Sequence, residues 1–231
     1  GTLEKSGKGE LYLSNRDNTL SGEVRVTDGT LHADAGALGR QGQKDGPASL
    51  LVAKDGTFLL TGEGTQYLKT LTSDGTIELR TGDPDGSLTL AVFGKDSESA
   101  IGENSHLYGT ESAELAVTEG AAHRIKDLAN VASDYDGTID VGGESCLELV
   151  GVRSDNAPAD LSLVTGAGTV VLQDRATYTT KEGFTGTMQV AEGGDLTITE
   201  DANTADAVLG MTAGNLASET ISCVNDLLYA V

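Results

Sequence analysis

Residues 1–39 read GTLEKSGKGELYLSNRDNTLSGEVRVTDGTLHADAGALG, and this stretch carries the strongest indication of the fold. Its short apolar alternations predict three strands, at residues 9–14, 23–27 and 30–34, with two corners between them. Each strand has one apolar side that it cannot bury alone, so stacking of successive turns is a natural solution. Three strands per turn would close a triangular coil.

A turn signal of Asp-Gly, then Thr or Ser, then an apolar residue recurs along the chain. Glycine supplies the positive φ of a tight turn, and aspartate bonds the nearby backbone. Because such turns also make hairpins, the signal alone does not choose between parallel and antiparallel strands. The full copies begin at Asp28, Asp55, Asp74, Asp85 and Asp136.

Apolar residues two positions apart follow these turns, which predicts strands that bury one face each. A sandwich would meet the same pattern, but an aromatic content of 4 % and the lack of long apolar runs favour a narrow core of stacked aliphatic side chains. The predicted inward residues are Leu11 and Leu13, Val24 and Val26, Ile77 and Leu79, Leu88, Leu90 and Val92, Leu115 and Val117, Ile139 and Val141, Leu147 and Leu149, Leu161 and Leu163, Val170 and Leu172, Met188 and Val190, and Leu196 and Ile198.

Residues 1–39 also resemble the passenger-associated transport repeat of bacterial autotransporters. The likeness is carried by Gly-x-Leu-x-Lys-x-Gly-x-Gly-x-Leu-x-Leu at 1–13, by the valine strand at 23–27, and by Ala37-Leu38-Gly39. One departure is Leu20, where the family usually has Tyr or Phe. A degenerate second copy covers about residues 166–210.

The resemblance implies an all-β, right-handed parallel β-helix over residues 1–231 as a single fragment. At roughly 22 residues and 4.8 Å per turn, the chain would hold about ten rungs. It also implies a secreted passenger that passes through the periplasm and outer membrane to the bacterial surface. The expected role is structural and adhesive: surface adhesion or self-association, as in biofilms and virulence, and help with passenger folding during secretion.

The implied partners are a host or bacterial surface protein or glycan, or a second copy of the chain. Two other functions stay open from the sequence. The coil can be a passive stem for an upstream catalytic domain such as a protease. It can also be a polysaccharide hydrolase or lyase with a carboxylate cleft, because acidic residues are abundant.

Charge argues against two classes of partner. The chain has 15 Lys and Arg against 36 Asp and Glu, a net charge of −21. Such a field repels phosphate backbones and anionic membrane surfaces, so we expect no nucleic-acid binding. No stretch approaches the roughly 20 apolar residues needed for a membrane span, so we expect no direct membrane insertion of this fragment.

No catalytic motif is present, and the sequence predicts no catalytic, cofactor-binding or metal-binding residues. There is no Gly-x-Ser-x-Gly elbow, phosphate loop or His-Glu-x-x-His. His32, His106 and His123 are scattered without metal-ligand spacing. His32 is on the outward phase of its strand and is expected at the surface. We therefore expect that the fragment is not an enzyme by itself.

Three local features complete the expectations. Asn15 and Asn18 either bond neighbouring rungs at a corner or are ordinary turn residues. Cys146 and Cys223, 77 residues apart, are expected as free thiols, with Cys146 outward. Residues 94–135 look less regular, and the apolar face of 121–132, with Ile125 and Leu128, predicts a short helix or a loop excursion.

Overall fold

The computed structural model describes residues 1–39, 48–94, 99–151, 159–173, 176–178, 184–190, 196–198 and 221–223. Nearly all regular structure in them is β, and every strand pair is parallel. The elements in chain order are β1 (Thr2–Lys5), β2 (Glu10–Leu13), β3 (Glu23–Asp34), β4 (Ser49–Thr61), β5 (Gly64–Leu68), β6 (Leu71–Ser73), β7 (Thr76–Arg80), β8 (Leu88–Val92), β9 (Ser99–Ile101), β10 (His106–Gly109), β11 (Ala113–Val117), β12 (Ala122–Lys126), α1 (Leu128–Val131), β13 (Asp134–Tyr135), β14 (Thr138–Val141), β15 (Cys146–Val150), β16 (Ala159–Asp160), β17 (Val164–Gly166), β18 (Thr169–Leu172), β19 (Ala176–Tyr178), β20 (Thr187–Val190), β21 (Leu196–Ile198) and β22 (Ile221–Cys223).

The strands stack into three faces of a parallel β-solenoid. The first face runs β1, β3, β4, β6, β9, β12, β15, β18 and β20. The second runs β2, β3, β4, β7, β10 and β13, because the long strands β3 and β4 continue around the corner from the first face. The third is β5, β8, β11, β14 and β17. A further sheet consists of β16, β19, β21 and β22, and its strands β16, β19 and β21 each follow a first-face strand in chain order.

The core consists of side-chain columns that run from turn to turn. On the second face, Leu31, Phe58, Ile77 and Leu107 are register partners in successive strands, and each is fully buried. Apolar stacking along a common axis lets each turn cover the face that its neighbour leaves open. The inward phase predicted for β3, β7, β8, β11, β14, β15 and β18 is confirmed by burial of their apolar residues.

Glycines line the corner between the first and second faces because successive turns approach closely there. Gly29 and Gly56 are register partners, and Gly75 lies in the corner of the next turn. A Cβ on Gly56 would lie 2.4 Å from the carbonyl oxygen of Val26, and one on Gly75 would lie 2.2 Å from that of Ala53. The turn signals at 28–30, 55–57 and 74–76 thus lie at a stacked corner. The signals at 85–87 and 136–138 instead lead into the third-face strands β8 and β14.

Polar groups in the interior close the hydrogen bonds of irregular backbone. Gln66 is fully buried, and its Oε1 accepts hydrogen bonds from the amides of Gly36 at 3.1 Å and Leu38 at 3.0 Å. Lys5 is also buried, and its ammonium donates to three backbone carbonyls, including that of Asp28 at 2.9 Å. Where the first turns bend, these two side chains supply backbone hydrogen-bond partners that a regular strand ladder would otherwise provide.

The structure corrects the division into rungs. Residues 10–13 and 30–33 are register partners on the same face, so they belong to successive turns and not to one triangular turn. Segment 1–39 therefore spans nearly two turns. About six turns are complete among the described residues, fewer than the ten expected, because the first two turns have no third-face strand and residues beyond 198 lie largely outside the described part.

The helix prediction for 121–132 is only partly right. A short helix exists, but it is the single turn α1. Ile125 belongs to β12, which pairs with β9 and β15, so the predicted helical face over 121–132 is wrong. Residues 99–135 also hold five strands and are more regular than expected. The right-handed winding stays a prediction, as does a second repeat copy at 166–210, part of which lies outside the described residues.

Candidate functional site

The outward side of the second face has a column of larger polar and aromatic side chains. Register places Tyr12 beside His32, then Leu59, Glu78, Tyr108 and Asp134 in successive turns. Tyr12 is 51 % exposed and is the one large hydrophobic side chain that is exposed among the described residues.

Five residues from three successive turns form one hydrogen-bonded group, which we call the second-face cluster: Glu10, Tyr12, His32, Asp34 and Thr61. His32 is central, because its Nδ1 lies 3.1 Å from Glu10 Oε1 and its Nε2 lies 2.8 Å from Thr61 Oγ1. Asp34 Oδ1 accepts from the Tyr12 hydroxyl at 2.8 Å and from the Thr61 hydroxyl at 3.1 Å. The Tyr12 and His32 rings are 4.3 Å apart between centroids.

The proton inventory allows two arrangements of this cluster. A neutral imidazole with its proton on Nδ1 donates to Glu10, and its Nε2 then accepts from the Thr61 hydroxyl. A protonated imidazole donates from both nitrogens, and the Thr61 hydroxyl then donates to Asp34. Tyr12 donates to Asp34 in either case, and this hydrogen bond is the main reason why the pKa of Tyr12 is raised above its usual value.

Arginine supplies positive charge beside the cluster. Gly62, the residue after Thr61, has a φ of +92°, and an atom at its Cβ position would lie 3.3 Å from Arg16 Nη2. The charge of Arg16 also acts on the Tyr12 hydroxyl and lowers the Tyr12 pKa, against the larger effect of Asp34. The cluster and Arg16 together therefore present two hydroxyls, an imidazole, two carboxylates and a guanidinium on an accessible surface.

A shallow groove of about 190 Å³ lies on the first face. Its lining includes the small residues Ala100 and Ala122, the thiol of Cys146, and the ion pair of Arg124 with Glu148. Burial, and secondarily the charge of Glu148, raise the pKa of the Cys146 thiol. Since the thiolate is the reactive form, this environment makes Cys146 a poor nucleophile.

The third face has one acidic neighbourhood. Burial raises the pKa of Glu114, the charge of Asp140 adds to the effect, and a 3.2 Å hydrogen bond from Thr89 opposes it. The polysaccharide hydrolase alternative requires a carboxyl group with a raised pKa as the general acid, and a second carboxylate across the scissile bond.

His123 lies inside the coil, and it is part of the lining of the first-face groove. It is 2 % exposed and pairs in register with Ser99 and Leu147 on the inward side of the first face. Neither ring nitrogen has a hydrogen-bond partner among the described residues. Burial lowers the pKa of His123 to about 4, so the ring is neutral at physiological pH.

The structure shows where several residues with sequence-based expectations lie. His32 is on the outer surface as expected, although its side chain is only 22 % exposed because the cluster surrounds it. Asn18 donates to the carbonyl of Ala37 at 3.0 Å and so links neighbouring turns, whereas Asn15 accepts from the amide of Asp17 as an ordinary turn residue. Cys146 is a free thiol. The side chain of Cys223 lies outside the described residues.

Sequence reasoning missed the second-face cluster as a group. Its members are 22 residues apart for Glu10 and His32, and 29 apart for His32 and Thr61. Register partners in these turns are 20 and 27 residues apart, as for Tyr12 with His32 and for Asp34 with Thr61. Each spacing in the cluster is therefore one turn plus two residues, which reaches the next side chain on the same side of the neighbouring strand. The sequence does not show where each turn begins and ends, so these residues could not be matched from it.

No helix among the described residues is long and apolar enough to cross a membrane. No group of three or more His, Cys, Asp or Glu side chains in them could hold a metal ion.

No protein-family model matches the sequence, and neither a curated protein nor a solved structure matches the chain. The resemblance of residues 1–39 to the transport repeat of autotransporters therefore rests on the residues that carry it.

Proposed function

We propose that this chain is a structural and adhesive module of a bacterial autotransporter passenger, displayed at the cell surface or released from it. The observation that carries the proposal is the parallel β-solenoid itself, in which about six turns stack with their side chains in register. The transport-repeat pattern in residues 1–39 supports the secretion route, since that stretch forms the first stacked strands of the coil.

Stacking also supports the proposed help in secretion. Each folded turn offers the strand edges and the apolar columns on which the next turn can order, so folding propagates along the coil. The four turns that contain β3, β4, β7 and β10 share one fully buried column on the second face. A module of this kind can template the folding of neighbouring passenger turns.

The adhesive surface that we propose is the outward side of the second face around Tyr12. An exposed aromatic ring beside fixed carboxylates suits a sugar ring or a polar protein loop, because the ring covers apolar C–H groups and the carboxylates accept from hydroxyl or amide donors. Glu10 and Asp34 are already oriented by His32 and by Tyr12. The strong negative charge of the whole chain favours neutral or basic partners.

The test couples the full chain to beads and measures adhesion to bacterial cells, host cells and arrayed surface glycans, together with bead aggregation. We expect adhesion or aggregation that falls about tenfold in Tyr12→Ala, the usual effect of losing a central aromatic contact. Tyr108→Ala is the matched control, since Tyr108 is in the same outward column four turns away. Beads that neither adhere nor aggregate would contradict the proposal.

A further inference from the structure

We infer that Thr61 is an activated nucleophile and that the second-face cluster hydrolyses short-chain carboxylic esters. This inference does not depend on the adhesive role, and it goes beyond the expectation that the fragment has no chemistry of its own. It rests on the order in which atoms meet across three successive turns: a carboxylate at His32 Nδ1, and a hydroxyl at His32 Nε2.

This order is the one that a hydroxyl nucleophile needs. A hydroxyl is weakly nucleophilic unless a base takes its proton as it attacks, and the base in turn needs a third group to hold its other nitrogen protonated. Thr61 Oγ1 is 2.8 Å from His32 Nε2, within the reach of direct proton transfer. Glu10 Oε1, at 3.1 Å from Nδ1, selects the tautomer that leaves Nε2 free to accept.

Asp34 competes for the Thr61 hydroxyl proton, but the competition favours His32. The Thr61 oxygen is closer to His32 Nε2, at 2.8 Å, than to Asp34 Oδ1, at 3.1 Å. The same Asp34 oxygen also receives the Tyr12 hydroxyl at 2.8 Å. With the imidazole neutral, Asp34 therefore keeps a donor when Thr61 turns its proton to His32.

The reaction needs only the ester and water. Thr61 Oγ1 bonds to the ester carbonyl carbon while its proton passes to His32 Nε2, and the bond to the leaving oxygen breaks as that oxygen takes the proton from Nε2. Water then attacks the acyl-threonine, gives its proton to Nε2, and releases the carboxylic acid as Thr61 recovers that proton. Arg16, whose guanidinium lies beside Gly62, is the cation available to stabilise the oxyanion of each step.

The residues around Thr61 determine which esters the cluster accepts. The cluster lies on an open face, and its apolar surface is the exposed ring of Tyr12, so it suits a short acyl group and not a long chain. The two carboxylates disfavour anionic acyl groups by repulsion. Acetyl esters of neutral alcohols, including O-acetylated sugars, meet both conditions.

The test is labelling of the full chain with a fluorophosphonate probe at about pH 8, read by peptide mass spectrometry, with turnover of p-nitrophenyl acetate as the second readout. We expect the probe's phosphorus on Thr61 Oγ1 with loss of fluoride, and labelling about 10²-fold slower in His32→Gln, the usual contribution of a general base. Thr61→Val abolishes labelling at residue 61, whereas Thr61→Ser, which keeps the hydroxyl, retains it.

Glu10 is a positioning residue, and its test separates orientation from folding. Glu10→Ala slows labelling, and added formate restores part of the rate because it supplies a carboxylate at Nδ1; a purely structural role gives no such rescue. Unchanged thermal unfolding of each variant shows that the coil is intact. An unlabelled Thr61 in the wild-type chain, or labelling of Thr61 that His32→Gln leaves unchanged, overturns the inference, whatever the bead assay shows.

Discussion

Replacing His123 by leucine removes the one imidazole that the described structure buries in its core. His123 lies between Ser99 and Leu147 in an inward column that continues through the apolar residues Val170 and Met188. Its two ring nitrogens have no hydrogen-bond partner among the described residues. Leucine fits the chemistry of this column, and a buried polar group without a partner costs about 1–3 kcal/mol. We therefore expect His123→Leu to be more stable than the wild type at neutral pH by about that amount.

The pH dependence of this effect has a definite sign. Burial lowers the pKa of His123 from 6.5 to about 4 in the folded chain. As pH falls below 6.5 the unfolded chain takes up the proton first, so unfolding becomes more favourable. Stability is lost between about pH 6.5 and about pH 4, and the full loss is about 3 kcal/mol at 1.36 kcal/mol per pKa unit.

The assay is urea unfolding at pH 7.5 and pH 5, followed by far-ultraviolet circular dichroism. At pH 5 most of the 36 carboxylates are still ionised, so the histidine effect can be separated from acid unfolding. Between these pH values the wild type loses about 2 kcal/mol through His123, and His123→Leu does not. The contribution of all other groups cancels in the comparison of the two proteins.

His106→Leu is the matched control, because His106 is exposed on the second face and stacks on Tyr108. Because His106→Leu keeps His123, we expect it to retain the loss of about 2 kcal/mol that His123 causes between pH 7.5 and pH 5. If His123→Leu shows the same loss between pH 7.5 and pH 5 as the wild type, the imidazole is not buried in the coil and the register of the first face is wrong.

Three further substitutions test the packing of the coil by urea unfolding. Phe58→Ala empties the centre of a fully buried column and costs about 3–5 kcal/mol, while Phe58→Leu, which matches its neighbours, costs far less. Gly56→Ala places a methyl group 2.4 Å from the carbonyl oxygen of Val26 and destabilises the corner by at least 1 kcal/mol or so, and an unchanged midpoint would show that the turns are further apart. Gln66→Leu leaves two buried amides without an acceptor and costs about 2–4 kcal/mol, whereas Thr65→Val on the outward side of the same strand is close to neutral.

The sequence predicted the inside of the coil well because strand alternation is a local property. Each pair such as Ile139 and Val141 reveals which side of its strand is apolar, and burial confirms these sides. The same phase correctly placed Cys146 outward. By contrast, the apolar spacing around Ile125 suits a helix as well as a strand, and the choice is made by pairing with β9 and β15, which local sequence does not show.

The turn boundaries were the main structural feature that the sequence could not predict. Corners differ in length, so register partners are 21 residues apart at Leu50 and Leu71 but 28 apart at Thr72 and Ala100. An error of a few residues in one corner changes which side chains meet. For this reason the sequence did not predict the second-face cluster, although it contains each of the residues that form the cluster.

The solenoid requires that successive turns run parallel and in register, and distances between spin labels on the first face measure this arrangement. Arg25 is four register steps from Arg124 and six from Val171 on the outward side. With Cys146→Ser and Cys223→Ser removing the native thiols, nitroxides on Arg25→Cys with Arg124→Cys, and on Arg25→Cys with Val171→Cys, are expected about 19 Å and about 29 Å apart at 4.8 Å per step. Distances measured by pulsed electron paramagnetic resonance that rise by about 10 Å from the first pair to the second support the solenoid. Equal distances, or a shorter second distance, would contradict it.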